Sequence, residues 1–247
     1  MEGNERSKWY SFREELEVQN YVSRFLPNRY SGNGFMYHSE VAKAMFDSAR
    51  MSAECLNKIL DVGCGVGFIS SLYPNLDITG IDISPETLAL NPFKHVLASA
   101  QRIPFNDNYF DLVVCRGLLH HLEEPAIGIK EMNRVLKRKG RFVCWEPNAS
   151  PLNDLIRKLT QKPDRFSRWH KSFKFRELIQ ILKNGHFHID EITYQGHFAY
   201  PLLGFPDIFD FHIPKKLARL LIKIDGWISC TSFKKLSWAI MIKAHKE

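Results

Sequence analysis

A chain of 247 residues that is 45% hydrophobic can bury a core and suits one domain with elaborations better than two. Its net charge of +7 is uneven: residues 1–150 hold 17 Lys+Arg against 18 Asp+Glu, and residues 151–247 hold 17 against 9. Only the second part therefore asks for an acidic partner (phosphate, nucleic acid or membrane surface) beyond a solvated basic face. The five cysteines form no CxxC pair and no metal-ligand spacing with histidine, the N-terminus is too charged for a secretory signal, and no apolar run reaches a membrane span of roughly 18 residues. The expectation is a soluble cytoplasmic protein with free thiols and no metal.

In chain order, residues 1–52 read as a helical N-terminal cap, and residues 53–247 as one ligand-binding domain. KILDV (58–62), DITGID (77–82), HVLAS (95–99), FDLVVCR (110–116) and GRFVCWE (140–146) read as strands, joined by crossover helices. Continuous apolar runs such as LVV fit parallel strands buried on both faces. A helix opens at Pro125, with Ile129, Met132, Val135 and Leu136 at helical spacing. Lys137, Arg138 and Lys139 then oppose its negative end, and Gly140 supplies a left-handed cap. KFRELIQILKNG is a second helix, with Phe175, Leu178, Ile181 and Leu182 on one face and Gly185 as its stop. HFHIDEI and LSWAIMIKA are the remaining strands. The long connections 147–172 and 195–235 have the length of functional loops, the latter being a lid-like insertion.

The stretch ILDVGCGVGF (59–68) is where a ligand is expected. Glycine admits positive φ and lets a ligand approach the backbone, and a strand–turn–helix unit aims free N–H groups at it. The spacing here is G-x-G-x-G (Gly63, Gly65, Gly67), not the dinucleotide pattern G-x-G-x-x-G. Asp61 would face a pyrophosphate unfavourably and suits a ligand bearing ammonium and sulfonium groups. Asp82, ending the second strand, is placed to accept hydrogen bonds from ribose hydroxyls, a role shared with NAD-binding folds.

ILDVGCGVG, GIDISPE, IPFNDNYFDLVVCRGLLHHLEEP and EMNRVLKRKGRFVCWEPN resemble successive motifs of the class I S-adenosylmethionine-dependent methyltransferases. The resemblance is to the broad small-molecule group whose fourth strand leads into an LHHL turn. It is close over Asn57 to Pro147 and looser over Phe173 to Thr193 and the last strand. It implies an α/β fold: a Rossmann-like, doubly wound, seven-stranded sheet in the order 3-2-1-4-5-7-6, the last strand antiparallel, with helices on both faces. It implies S-adenosyl-L-methionine as cofactor, with Gly63 and Gly65 on the methionine portion, Asp61 orienting its amino group, Asp82 on the ribose and Ile83 on the adenine. Cys64, Gly67, Cys115 and Arg116 complete the implied cofactor set. ASAQRIPF stands where the family usually reads G-D-A-E-x-L-P-F. Ser99 and Gln101 replace the two acids, and Ser99, Ala100 and Gln101 are left to meet the adenine. Only fifteen positions separate Gly67 from Asp82, so the crossover helices are expected to be short.

Methyl transfer is an in-line displacement that needs alignment, exclusion of water and, for a protonated nucleophile, a base. Ligands of open α/β sheets lie beyond the carboxyl ends of the strands, which groups Arg116, His120, His121, Glu146 and Asn148 around one crevice. His121 is the first candidate base and His120 the second, against a structural role for both in the turn. No [DNS]-PP-[YFW] tetrapeptide and no Pro-Cys dipeptide occurs, which argues against nucleic-acid base amino-methylation and cytosine C5 methylation. The expected acceptor is small or lipid-like. RNA is the alternative, from the basic aromatic stretch 157–176; an NAD oxidoreductase and a catalytically silent cofactor binder are the readings from other classes. IPKKLARLLIKIDGWI (213–228) is expected to cover the crevice with Leu217, Leu220, Leu221 and Ile224 inward, or else to lie on an anionic membrane.

Overall fold

Strand β1 (Ile59–Val62) is buried at all four positions, as a strand must be with neighbours on both edges and helices over both faces. In the computed structural model, which describes residues 16–17, 30–50, 56–150, 153, 172–204 and 213–247, β1 lies parallel to β2 (Ile78–Asp82) and β4 (Phe110–Arg116). Beyond β2 comes β3 (His95–Leu97), and beyond β4 comes β5 (Leu136–Pro147), both parallel. Strand β7 (Ala239–Lys246) runs antiparallel between β5 and β6 (Phe187–Gln195). The order is 3-2-1-4-5-7-6, as the resemblance implies.

The period of two along each strand divides the core into two layers. Leu60, Val62, Val113, Cys115, Phe142 and Cys144 face α4 (Pro125–Val135) and α5 (Phe175–Asn184). Ile59, Leu112, Val114, Val143, Trp145 and Met241 face the other way, onto α1 (Gly32–Arg50), α6 (Ala199–Leu203) and α7 (Lys215–Ile228). Helix α1 contributes Tyr37, Val41, Met45 and Phe46 to that second layer, so this helix belongs to the domain core. The crossover helices α2 (Phe68–Leu72) and α3 (Pro85–Leu88) are as short as the spacing predicts.

Three details differ from the sequence reading. Helix α4 stops at Val135, and Leu136 already pairs with Phe110. Lys137 leaves the helix end to bond Asp111 at 2.6 Å, and the left-handed residue is Lys139 (φ 58), not Gly140. Helix α5 does stop at Gly185, as expected, but there too the left-handed residue is not the glycine: Gly185 has φ −89 and His186 takes φ 61. Gly185 is needed for space, because a Cβ there would overlap Ile129 of α4; close approach of the two helices, rather than backbone conformation, requires the glycine.

The third difference is the phase of α7. Its inward stripe is Ala218, Leu221, Ile222 and Asp225, while Leu217, Leu220 and Ile224 are exposed. Asp225 sets that phase. Its buried carboxylate accepts the backbone N–H groups of Phe198 (2.8 Å) and Ala199 (3.0 Å) at the start of α6, and turning it outward would strand both donors. Of the basic aromatic stretch 157–176, residues 157–171 lie outside the described residues. Phe173 is fully buried and so is not available for stacking on bases, while Phe175 is half-buried against the core.

Candidate active site

The turn after β1 folds back on β2: Gly63 and Cys64 donate their N–H groups to the Ile81 carbonyl at 2.8 and 3.0 Å. Gly63, Gly65 and Gly67 take φ of 75, 53 and 77, a run of left-handed conformations that other residues adopt only under strain. Asn91 supports the turn from behind, donating Nδ2 to the Gly65 carbonyl at 3.1 Å. A Cβ at Gly67 would overlap the Asn91 amide. Gly67→Ala is therefore expected to cost about 1–3 kcal/mol in folding stability, read as a lowered melting temperature; an unchanged transition would show that Asn91 swings away freely.

Asp82 ties the ends of β1 and β2 together. Its Oδ2 accepts the Gly65 N–H at 3.0 Å and its Oδ1 accepts the Ser84 N–H at 3.0 Å. Burial raises its pKa, and those N–H groups pull against the rise. Asp82 lines a solvent-open crevice of about 500 Å³, together with Gly63, Ile83, Ala98, Ala100, Leu118 and His121. A carboxylate oxygen has more than one acceptor site, so both oxygens retain capacity toward that crevice.

At the end of β5, Glu146 is fully buried. Its Oε1 accepts the N–H groups of Leu118 (2.9 Å) and Leu119 (2.8 Å), and its Oε2 lies 2.7 Å from His120 Nδ1. Burial pushes this carboxyl up to about 7 despite those donors. The His120 ring is buried, so His120 and Glu146 anchor the 3₁₀ turn Leu119–His121, while the next residue, His121, borders the crevice. One histidine of the pair is held by the protein and the other faces the ligand space.

Other expected members of the crevice are placed elsewhere. Asp61 is buried and its pKa is raised to about 7 by burial, against the lowering pull of the Arg116 charge. Arg116 turns toward α1, donating Nη2 to Tyr30 Oη at 2.5 Å and stacking over Phe68 at 5.0 Å. Asn148 donates Nδ2 to the carbonyls of Lys235 (3.2 Å) and Ser237 (2.9 Å), tying the end of β5 to the segment that enters β7. Ser99 Oγ accepts the Gln101 N–H at 3.1 Å, and Gln101 donates its side chain to the Glu124 carbonyl at 3.3 Å. Cys64 and Cys115 are buried, with thiols pushed upward by burial.

The crevice thus gathers Gly63, Asp82, Ile83, Ala100 and His121. Asp61, Cys64, Gly65, Gly67, Ser99, Gln101, His120, Cys115 and Arg116 stand behind or beside its lining. Leu118 and Leu122 also line it; the sequence reading did not single them out, although they lie in and beside the LHHL turn. Asn91 was missed, and nothing in its local sequence marks it.

Residues 60–144 match the family described as "Methyltransferase domain". This segment resembles a methyltransferase domain. The match starts inside β1 and ends inside β5, so it includes the glycine turn, Asp82 and the histidine pair. Demethylmenaquinone methyltransferases of Staphylococcus aureus strains are 35% identical over 108 residues, covering 38% of this chain and 45% of the relative. The chain therefore spans less than half the length of those relatives. Among solved structures, an S-adenosylmethionine-dependent methyltransferase from Archaeoglobus fulgidus superposes with a TM-score of 0.61 at 19% identity, covering 90% of this chain and 99% of that one. A [4+2]-cyclase superposes at 0.57 and 19% identity, covering 83% and 80%. The fold around the matched segment is thus shared by proteins named for different reactions.

Proposed function

We propose that the protein transfers a methyl group from S-adenosyl-L-methionine to a small-molecule or lipid-like acceptor. The observation that carries this reading is the Asp82 carboxylate, clamped by Gly65 and Ser84 at the rim of a glycine-floored crevice. Two fixed acceptor oxygens beside a backbone without side chains suit a ribose and the chain that extends from it. Gly63 and Gly65 would hold the methionine portion, Asp82 the ribose, and Ile83 with Ala100 the adenine. Bound there, the cofactor supplies an activated methyl group on a positively charged sulfur. The protein's own part is to orient the acceptor, exclude water with Leu118 and Leu122, and accept a proton at His121 when the acceptor loses one.

Imidazole is suited to proton exchange near neutral pH. His121→Gln is expected to lower turnover by about 10²–10⁴-fold, with affinity for S-adenosylhomocysteine within a few-fold of wild type. Unchanged turnover would remove His121 from the reaction, and a matching loss of folding stability would assign it to the turn alone.

The name of the Staphylococcus relatives supports a small organic acceptor. Calorimetry with S-adenosylhomocysteine and NAD tests the cofactor. S-adenosylhomocysteine release with a panel of quinol, phenol and amine acceptors tests the reaction. Binding of NAD alone would overturn the reading. Tight S-adenosylhomocysteine binding without turnover on any acceptor class would favour a cofactor-binding protein on the same fold.

A further inference from the structure

We infer that α7 and the turn behind it dock on an anionic lipid bilayer. On α7, Leu217, Leu220, Ile224 and Trp227 follow at i, i+3, i+7 and i+10, one stripe of the helix surface, and all four are exposed, Trp227 by 71% and Leu220 by 51%. The 3₁₀ turn Ser232–Leu236, which neighbours α7, adds Phe233, exposed by 67%, and Leu236. Isolated exposed apolar side chains are ordinary, but six large ones within twenty residues form a patch that asks for a partner.

The charges around the patch say which partner. Lys215, Lys216, Arg219 and Lys223 occupy the arc of α7 next to the apolar stripe, and Lys234 with Lys235 sits between Phe233 and Leu236; all six are exposed. Between residues 213 and 246 the only carboxylate is Asp225, which is buried and occupied by the start of α6. A protein interface core is depleted in lysine, and a rim normally mixes both signs. Within residues 213–246, a surface with six such cations and no exposed carboxylate complements a bilayer instead: the bilayer phosphates meet the cations, whose stems run along the apolar surface. The acyl boundary receives Leu and Trp. No helix among the described residues is long and apolar enough to cross a membrane, so the contact is peripheral. The inner face of α7 is already packed through Ala218, Leu221 and Ile222, so the helix presents its outer face ready-folded and docking need not order it.

This inference does not rest on the methyltransferase reading. It is tested by flotation of the full chain with vesicles of phosphatidylcholine alone and of equal parts phosphatidylcholine and phosphatidylglycerol. Wild type is expected to float with the anionic vesicles and to be released by high salt. L220S/W227S and K216E/K223E are each expected to weaken that binding at least about tenfold. Melting temperature and S-adenosylhomocysteine affinity, unchanged in both, verify that the fold is intact. Absence of flotation, equal flotation with neutral vesicles, or variants that float like wild type would overturn it. So would a concentration-dependent dimer in ultracentrifugation that L220S/W227S abolishes while flotation is absent, since the ridge would then be a self-association surface.

Discussion

Replacing Glu146 by alanine is expected to destabilise the fold by about 3 kcal/mol or more, the largest single-residue effect outside the apolar core. The N–H groups of Leu118 and Leu119 and the His120 ring would lose their acceptor in a buried place, at about 1–3 kcal/mol for each group left unsatisfied. Chemical denaturation should show a lower midpoint with an unchanged slope, and turnover at low denaturant should fall with it, since the turn carries His121. A variant as stable as wild type would mean that water replaces the carboxylate and that the anchor is dispensable. Glu146→Gln separates charge from shape. Burial raises this carboxyl from 4.5 to about 7, so holding it ionised costs the folded state. Below the unfolded value both states are protonated and the cost is absent; it grows as pH rises through about 7, to about 3 kcal/mol. The glutamine variant has no charge to bury. The stability difference between it and wild type should therefore shift in the variant's favour from about pH 4.5 to 7, and a difference flat across that window would contradict the buried charge.

Asp82→Ala is expected to weaken S-adenosylhomocysteine binding at least about tenfold, because a hydrogen bond to a charged acceptor is worth about 1.5–3 kcal/mol. The same change releases the Gly65 N–H that Asp82 holds at 3.0 Å, so part of the loss comes through a looser glycine turn. Asp82→Asn separates the two: one amide oxygen can still accept, but the amide nitrogen cannot take up the second N–H donor. Its affinity should fall between alanine and wild type. Burial raises the Asp82 pKa, so wild-type affinity should decline on acidification, at a pH above that of an ordinary aspartate, while the alanine variant stays flat. Calorimetry across pH checks both. Wild-type affinity in Asp82→Ala would move the ligand out of this crevice.

The parts of this protein that were legible in the linear sequence are those whose physics is local. Three glycines in five residues can only be a turn that leaves the right-handed region, and Gly63, Gly65 and Gly67 are left-handed as found. Apolar runs of four to seven residues read as strands, and the motif resemblance supplied their order. Asp82 at the end of β2 was legible because strand ends and ligand positions coincide in this architecture. What tertiary structure alone decided is the partner of each polar side chain. Sequence placed Glu146, Arg116 and Asn148 at one crevice. The fold gave Glu146 to backbone groups 28 and 27 residues away and Arg116 to a tyrosine 86 residues away. It also turned α7 by committing Asp225 to amides 27 and 26 residues earlier, which exposed Leu217, Leu220 and Ile224, all expected inside, and kept only Leu221 of that set inward. Residue type states what a side chain is able to donate or accept. Which donor stands within 3 Å of it is settled by the packing of distant segments, and a buried carboxylate takes whichever orientation leaves the fewest N–H groups unpaired.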